Sequence, residues 1–473
     1  MWSIPDGQNI LSNKCKLKIE SYLNNTIYGI SNTFSISSGT LPANVTLSAS
    51  IPFNPNPYLS TEYKLFSCPG IVDTKKFGDF FAGTEKTDWR AFTDNGSSSN
   101  YLMELNTNSS LTTGIGYWVI KKGNFDLPNV TITMPKLDTL GATFNIPLHT
   151  GWNIIGNPFD KTIPWQAVLA WNNLPPFTLL RGYSNFYTAE TQLEPFKGYY
   201  FFNETDLSAL KLPYPFTIVS SAQPVPKINW KIQLSLESDI NTDPENYIGI
   251  SPISKYTKDQ LDTHKPPLFM DQGFLFFSHP EWNERFDRFS SDFRPILGDG
   301  QVWDFEVSNP RMSRCTLHFN GIEGIPSEND VVLINMLNST PIHLRKNLHY
   351  SFEMLTNNMK FKLLVGSKDF VDKEIAGMIP KSFELEQNFP NPFNSSTSIS
   401  FKLPEEVQIC LEVYNELGQK MKTLATGNYK PGIHTIIWDG TDNSGGNVAS
   451  GIYFYRLMTG SKLVESQKMI LLK

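Results

Sequence analysis

The chain has 473 residues, 40% of them hydrophobic, 13% aromatic and only 18% charged, a balance that excludes a disordered polymer and points to several folded domains. Its formal net charge of -6, with no stripe of Lys or Arg, gives no electrostatic footprint for nucleic acid. No run approaches the roughly 20 apolar residues of a membrane-spanning helix, and Cys15, Cys68, Cys315 and Cys410 are too scattered for a zinc site or a disulfide framework.

Residues 1–36 hold one alternating run, Tyr28 to Ile36, and read as the tail of a preceding β-domain. Met1 to Asp6 has neither the basic start nor the apolar stretch of an export signal, so further chain upstream is expected.

An internal repeat follows, with β-units expected at 37–138 and 139–218. Tyr63-Lys64-Leu65-Phe66-Ser67-Cys68-Pro69 aligns with Trp152-Asn153-Ile154-Ile155-Gly156-Asn157-Pro158, and Gly116-Tyr117-Trp118 aligns with Gly198-Tyr199-Tyr200. Glycine before an aromatic run suits a bulge or a close backbone approach. Trp118, Trp152, Tyr199 and Tyr200 carry two readings: core packing, or a platform on which the C–H faces of sugar rings stack.

Residues 219–226, Pro- and Ser-bearing, read as a linker, and an antiparallel β-sandwich or jelly roll is expected at 227–366. Its opening strand shows the period of two, with Trp230, Ile232, Leu234 and Leu236 alternating with polar residues. One short helix is expected near Thr257 to Asp262. The wet stretch 367–380 reads as a linker, with Asp369, Asp372, Lys373 and Glu374. From 381 to 473 five strands are expected, around Ile399 to Leu403, Ile409 to Val413, Ile433 to Trp438, Ile452 to Leu457 and Met469 to Leu472. The fold class expected is therefore all-β, several sandwich or jelly-roll-like domains in series, the last a small one.

Chemistry-bearing patterns are sparse. Asp439 to Gly445 alternates oxygen ligands, but Ser444 and Ser450 stand where an EF-hand loop needs Gly and Glu, so a turn is expected. His279 to Asp287 groups one imidazole with carboxylates, out of HExxH register and broken by Pro280, which favours a polar loop. Gly114-Ile115-Gly116 lacks the third glycine of a nucleotide loop, and nucleophile motifs are missing. No catalytic, cofactor-binding or metal residues are assigned, and the chain is not expected to be an enzyme.

The tail speaks most clearly. QNFPNPFNSSTSISFKLPEE, VYNELGQKMKTL, GIHTIIWDGTDNSGGNVASGIYFYRL and the closing KMILLK together resemble the type A C-terminal sorting domain of the type IX secretion system, a family that overlaps with the Ig-like domain of flagellar hook-capping proteins. The resemblance implies that the last domain is a small Ig-like sandwich and that the chain belongs to a secreted or outer-surface protein of a Bacteroidota-type host, carried through the periplasm. Its implied partners are the secretion machinery and a sortase-like peptidase, with surface lipopolysaccharide or extracellular polysaccharide as further partners. Recognition residues expected on this basis are Gly451, Tyr453, Lys468, Met469, Leu471 and Lys473, the terminal strand offering its edge for β-addition. The alternatives are a carbohydrate-binding or adhesin module, or the accessory region of an enzyme whose catalytic domain lies upstream.

Overall fold

The computed structural model describes residues 41–53, 60–72, 75–96, 102–138, 143–215, 226–267, 271–282, 286–460 and 462–472, together with the strand backbones Ser12–Cys15, Lys18–Ser21, Asn24–Ile30 and Phe34–Ile36. The expected linker at 219–226 lies outside these residues apart from Pro226. The fold is all-β, with three short α-helices among the described residues. None of these helices is long and apolar enough to cross a membrane. The chain divides into two compact units: the described residues of Met1–Pro226 with Pro266–Met270, and those of Lys227–Lys265 with Asp271–Lys473.

The run from Tyr28 to Ile36 is divided between two ladders. Asn24–Ile30 pairs with Lys18–Ser21, and Phe34–Ile36 pairs with Ser12–Cys15.

The rest of the first unit is built twice. One four-stranded sheet runs Lys64–Ser67, Gly116–Lys121, Trp89–Asp94, Leu102–Leu105; the other runs Gly151–Gly156, Gly198–Asn203, Leu180–Tyr183, Tyr187–Glu190. In both, the first strand in sequence pairs with the last, and a helix follows the first strand, Phe77–Phe80 in one copy and Trp165–Asn172 in the other. The phenol of Tyr117 accepts the Thr112 amide at 2.7 Å, and that of Tyr199 accepts the Glu194 amide at 2.8 Å, each five residues back.

The copies grip each other reciprocally. The Ser67 amide donates to Phe196 O (3.3 Å) and the Gly156 amide to Gly114 O (2.7 Å), equivalent bonds exchanged between equivalent positions, as across a two-fold homodimer interface. Close approach is why glycine precedes the aromatics: a Cβ on Gly116 would lie 2.7 Å from Ile155 O, and one on Gly198 would lie 3.0 Å from Phe66 O.

The second unit opens with a sandwich. Its five-stranded sheet runs Ser291–Arg294, Thr242–Ile250, Trp230–Glu237, Arg314–Asn320, His349–Glu353. Its six-stranded sheet runs Arg288–Phe289, Phe274–Ser278, Gly300–Ser308, Asn358–Ser367, Asn329–Asn335, Thr340–His343. Ile232, Leu234 and Leu236 face Trp303, Phe305 and Phe361 in the core between them. One pairing departs from the antiparallel expectation: Ser291–Arg294 runs parallel to Thr242–Ile250, which the long intervening connection allows.

Two further expectations are corrected. Thr257 to Asp262 forms turns rather than a helix, because Asp259 and Asp262 hold the backbone themselves: Asp259 accepts the Lys255 and Leu261 amides, and Asp262 accepts that of Asp259. The expected linker at 367–380 contains the helix Lys368–Met378. Ser367 caps it by accepting the Phe370 amide, and Val371, 1% exposed, packs on Val332, Ile334 and Leu364 of the six-stranded sheet. Its charged residues occupy the solvent side of an amphipathic helix.

Candidate functional site

The last ninety residues form a second, smaller sandwich. One sheet runs Glu384–Leu385, Thr397–Leu403, Gly432–Trp438; the other runs Lys420–Tyr429, Val407–Asn415, Gly451–Thr459, Lys462–Leu471. Ile399, Phe401 and Leu403 alternate inward from the first, and Ile409, Leu411, Val413, Tyr455, Leu457, Met469 and Leu471 from the second. Lys420–Tyr429 is a strand that sequence reasoning missed: it is a polar edge strand whose lysines and threonines blunt the period-two signal.

The terminal strand is clasped by the segment that enters the domain. Gln387 Nε2 donates to Lys468 O at 2.7 Å, and Asn391 Nδ2 reaches the same carbonyl at 3.3 Å. Asn391 Oδ1 accepts the Ile470 amide at 3.0 Å, the Phe393 amide donates to Ile470 O at 2.9 Å, and the Leu472 amide donates to Phe393 O at 2.9 Å. The edge offered for β-addition is therefore already occupied from Lys468 to Leu472, a correction to the expectation above. Tyr455 locks the clasp: its phenol accepts the Asn388 amide and donates to Glu386 O, both at 2.7 Å. Asn388, 2% exposed, in turn donates to Thr397 Oγ1 at 2.9 Å. Sequence reasoning missed the clasp residues Gln387, Asn388, Asn391 and Phe393, and the Asn391-Pro392 step among them is the local signal that could have found them.

The expected recognition residues do not share one surface. Met469 and Leu471 are 0% exposed, and Tyr453 is 6% exposed, its ring 5.2 Å edge-on to Trp438 and its hydroxyl donating to Ala449 O. Lys468 is exposed and Gly451 half-buried, with nothing within 4 Å of a Cβ built there. Lys473 lies outside the described residues. Tyr453, Met469 and Leu471 thus build the core, which leaves Gly451 and Lys468 accessible.

Residues 388–461 match the FlgD Ig-like domain family. The matched segment starts at the clasp residue Asn388 and ends before the terminal strand. None of the curated proteins compared with the chain matches it. Among solved structures, PorZ, described as an essential bacterial surface component of the type IX secretion system of Porphyromonas gingivalis, is similar at 11% identity and a TM-score of 0.15, over 36% of this chain and 21% of PorZ. Dimeric latent PorU of the same organism is similar at 11% identity and a TM-score of 0.18, over 95% of this chain and 36% of PorU. A polysaccharide lyase gives 6% identity and a TM-score of 0.16, over 52% of this chain and 40% of the lyase. The chain thus spans about a fifth to two fifths of the lengths of these proteins, and scores this low carry no argument about its role.

Within the Ig-like domain, the Asp439 to Gly445 loop holds itself. Asp439 Oδ1 accepts the Thr441 hydroxyl at 2.6 Å and lies 2.9 Å from Lys422 Nζ, contacts that bring its carboxyl down to about 2. Asp442 Oδ1 accepts the amides of Ser444 and Gly446. The carboxylates are turned onto the loop's own donors, and the Lys422 ammonium takes up Asp439.

The sugar platform is likewise corrected. Trp118, Trp152, Tyr199 and Tyr200 are 0%, 7%, 1% and 0% exposed. Trp118 Nε1 donates to the Tyr200 hydroxyl at 2.9 Å and its ring meets Tyr183 edge-on at 4.7 Å, while Tyr199, next along the strand, points to the opposite face and packs with Ile155 and Phe201. Alternation in the strand puts neighbouring aromatics on opposite sides, and both sides are covered.

Proposed function

We propose that residues 381–473 act as a type IX sorting domain and that the chain is a non-catalytic portion of a protein delivered through the periplasm to the cell surface or beyond. The observation that carries the reading is the FlgD Ig-like match over 388–461, joined to the terminal motif KMILLK. The clasp supports it physically: a terminal strand whose edge is bonded by Gln387, Asn391 and Phe393 makes the whole domain, rather than a loose tail, the unit offered to a partner. The secretion machinery and its peptidase are the proposed partners, with lipopolysaccharide or polysaccharide as further ones. The test fuses residues 380–473 behind a signal peptide and reporter in a type IX-competent host. Export of the reporter is expected. Retention in the periplasm, unchanged when residues 451–473 are deleted, overturns the reading.

A further inference from the structure

The segment read from sequence as a polar loop carries an imidazole that the fold takes inside. His279 is 8% exposed. Its Nδ1 lies 2.7 Å from Glu281 Oε1 and its Nε2 lies 3.3 Å from Asp292 Oδ2. The ring is stacked on Trp282, with centroids 3.8 Å apart and planes 4° from parallel. Phe289 closes the end of the stack, 4.9 Å from Trp282 and 5.7 Å from His279.

Carboxylates accept hydrogen bonds and donate none when ionised. A neutral imidazole has one N–H and one lone pair, so whichever nitrogen loses its proton turns a lone pair toward a carboxylate. The imidazolium alone is attracted on both sides, and the Trp282 face adds cation–π attraction for it. Burial opposes the charge, but Asp292 and Glu281 outweigh burial and raise the ring above the ordinary histidine range.

We propose that His279 is a proton-operated clamp that ties the Pro280–Trp282 turn to the buried strand Ser291–Arg294, closed when the ring is protonated and released when it is neutral. The surrounding charges are accounted for. On the strand, Asp292 also meets Arg294, with Nη2 at 3.1 Å, so the carboxylate keeps a cation when the ring discharges. From the turn, Glu281 is exposed and stays solvated. His264 also meets Phe289, its ring tilted against it with centroids 4.6 Å apart, and burial keeps it neutral. Arg288 is directed away, over Phe276 at 4.7 Å, and Asp262 approaches through Asp292. The sign is fixed by the raised value: the clamp's contribution is complete below the unfolded value of about 6.5 and is lost as pH rises through the folded one.

The test is a pH titration of the full chain labelled with 13C-histidine, in which His279→Gln identifies the resonance among seven histidines. Expected results are a midpoint above about 6.5 and hydrogen-exchange protection of the Trp282 and Phe289 amides that falls through that midpoint. The fall is roughly tenfold for each unit by which the folded value exceeds the unfolded one. If His279→Gln does not fold, through-space contacts to Trp282 assign the ring and the unmodified chain decides alone. A midpoint at or below about 6.5, or protection that follows only the intrinsic exchange rate, overturns the clamp.

Discussion

Gly156 lies against Ser67 so closely that a Cβ built on the glycine would sit 2.2 Å from the serine Cβ. These positions are equivalent in the two copies of the repeated unit, so the contact lies where the copies cross. Gly156→Ala has no free space to enter and is expected to destabilise the first unit by about 1–3 kcal/mol through overpacking. Gly377→Ala is the control: it sits in the helix Lys368–Met378 with nothing within 4 Å of its Cβ, and should gain about 0.5–1 kcal/mol from helix propensity. Calorimetry of both variants reads the contrast, and an unshifted melt for Gly156→Ala contradicts the close packing.

Tyr455→Phe removes one oxygen from the clasp of the Ig-like domain. It leaves the buried Asn388 amide without its acceptor, and burial already holds the phenol uncharged. Expected cost is about 1–3 kcal/mol. Denaturant unfolding followed by fluorescence measures it, and a loss much under that range would mean Asn388 finds another partner.

Recognition and folding separate at two exposed positions. Gly451→Ala meets no atom within 4 Å and Lys468→Ala removes an exposed side chain, so both should keep the melting temperature and lower reporter export. Leu471→Ala empties a core site, 0% exposed, and should cost about 2–5 kcal/mol. Export lost only in Leu471→Ala would assign the tail's importance to folding alone.

Between the helix ending at Met378 and the short strand Glu384–Leu385, Lys381 and Ser382 are exposed. Brief trypsin treatment should cut after Lys381 before it cuts either sandwich, because proteases need accessible, extendable chain. Mass spectrometry of the first fragments reads the site.

Asp262 makes part of the larger sandwich sensitive to alkali. Burial lifts its carboxyl to about 8, with Asp259 and Asp292 adding repulsion. The folded state therefore holds a proton that the unfolded state releases above about 4, and stability should fall as pH rises from about 4 to 8. Asp262→Asn should flatten this slope in urea titrations at several pH values. An unchanged slope would place the carboxyl in its ordinary range.

Much of the strand content was legible locally. Alternation from Trp230 to Leu236 and from Ile399 to Leu403 reports a half-buried pleated surface whatever lies opposite. The aligned runs Tyr63 to Pro69 and Trp152 to Pro158 fall on strands of equal rank in the two repeated sheets. Less legible were Lys420–Tyr429, where an edge strand's polarity hides the period, and Lys368–Met378, where one buried face is enough to hold a helix.

By itself, the sequence determined the all-β class and the paired repeat, because periodicity and turn chemistry are properties of neighbouring residues, while the Ig-like character of the tail came from its family resemblance. Only the tertiary structure decided that Trp118 and Tyr200 pack into protein, that the terminal edge is covered by Asn391 and Phe393, and that His279 stands between two carboxylates. Those outcomes depend on which surfaces meet across tens of residues, and a side chain's burial, partners and charge state are set by that meeting.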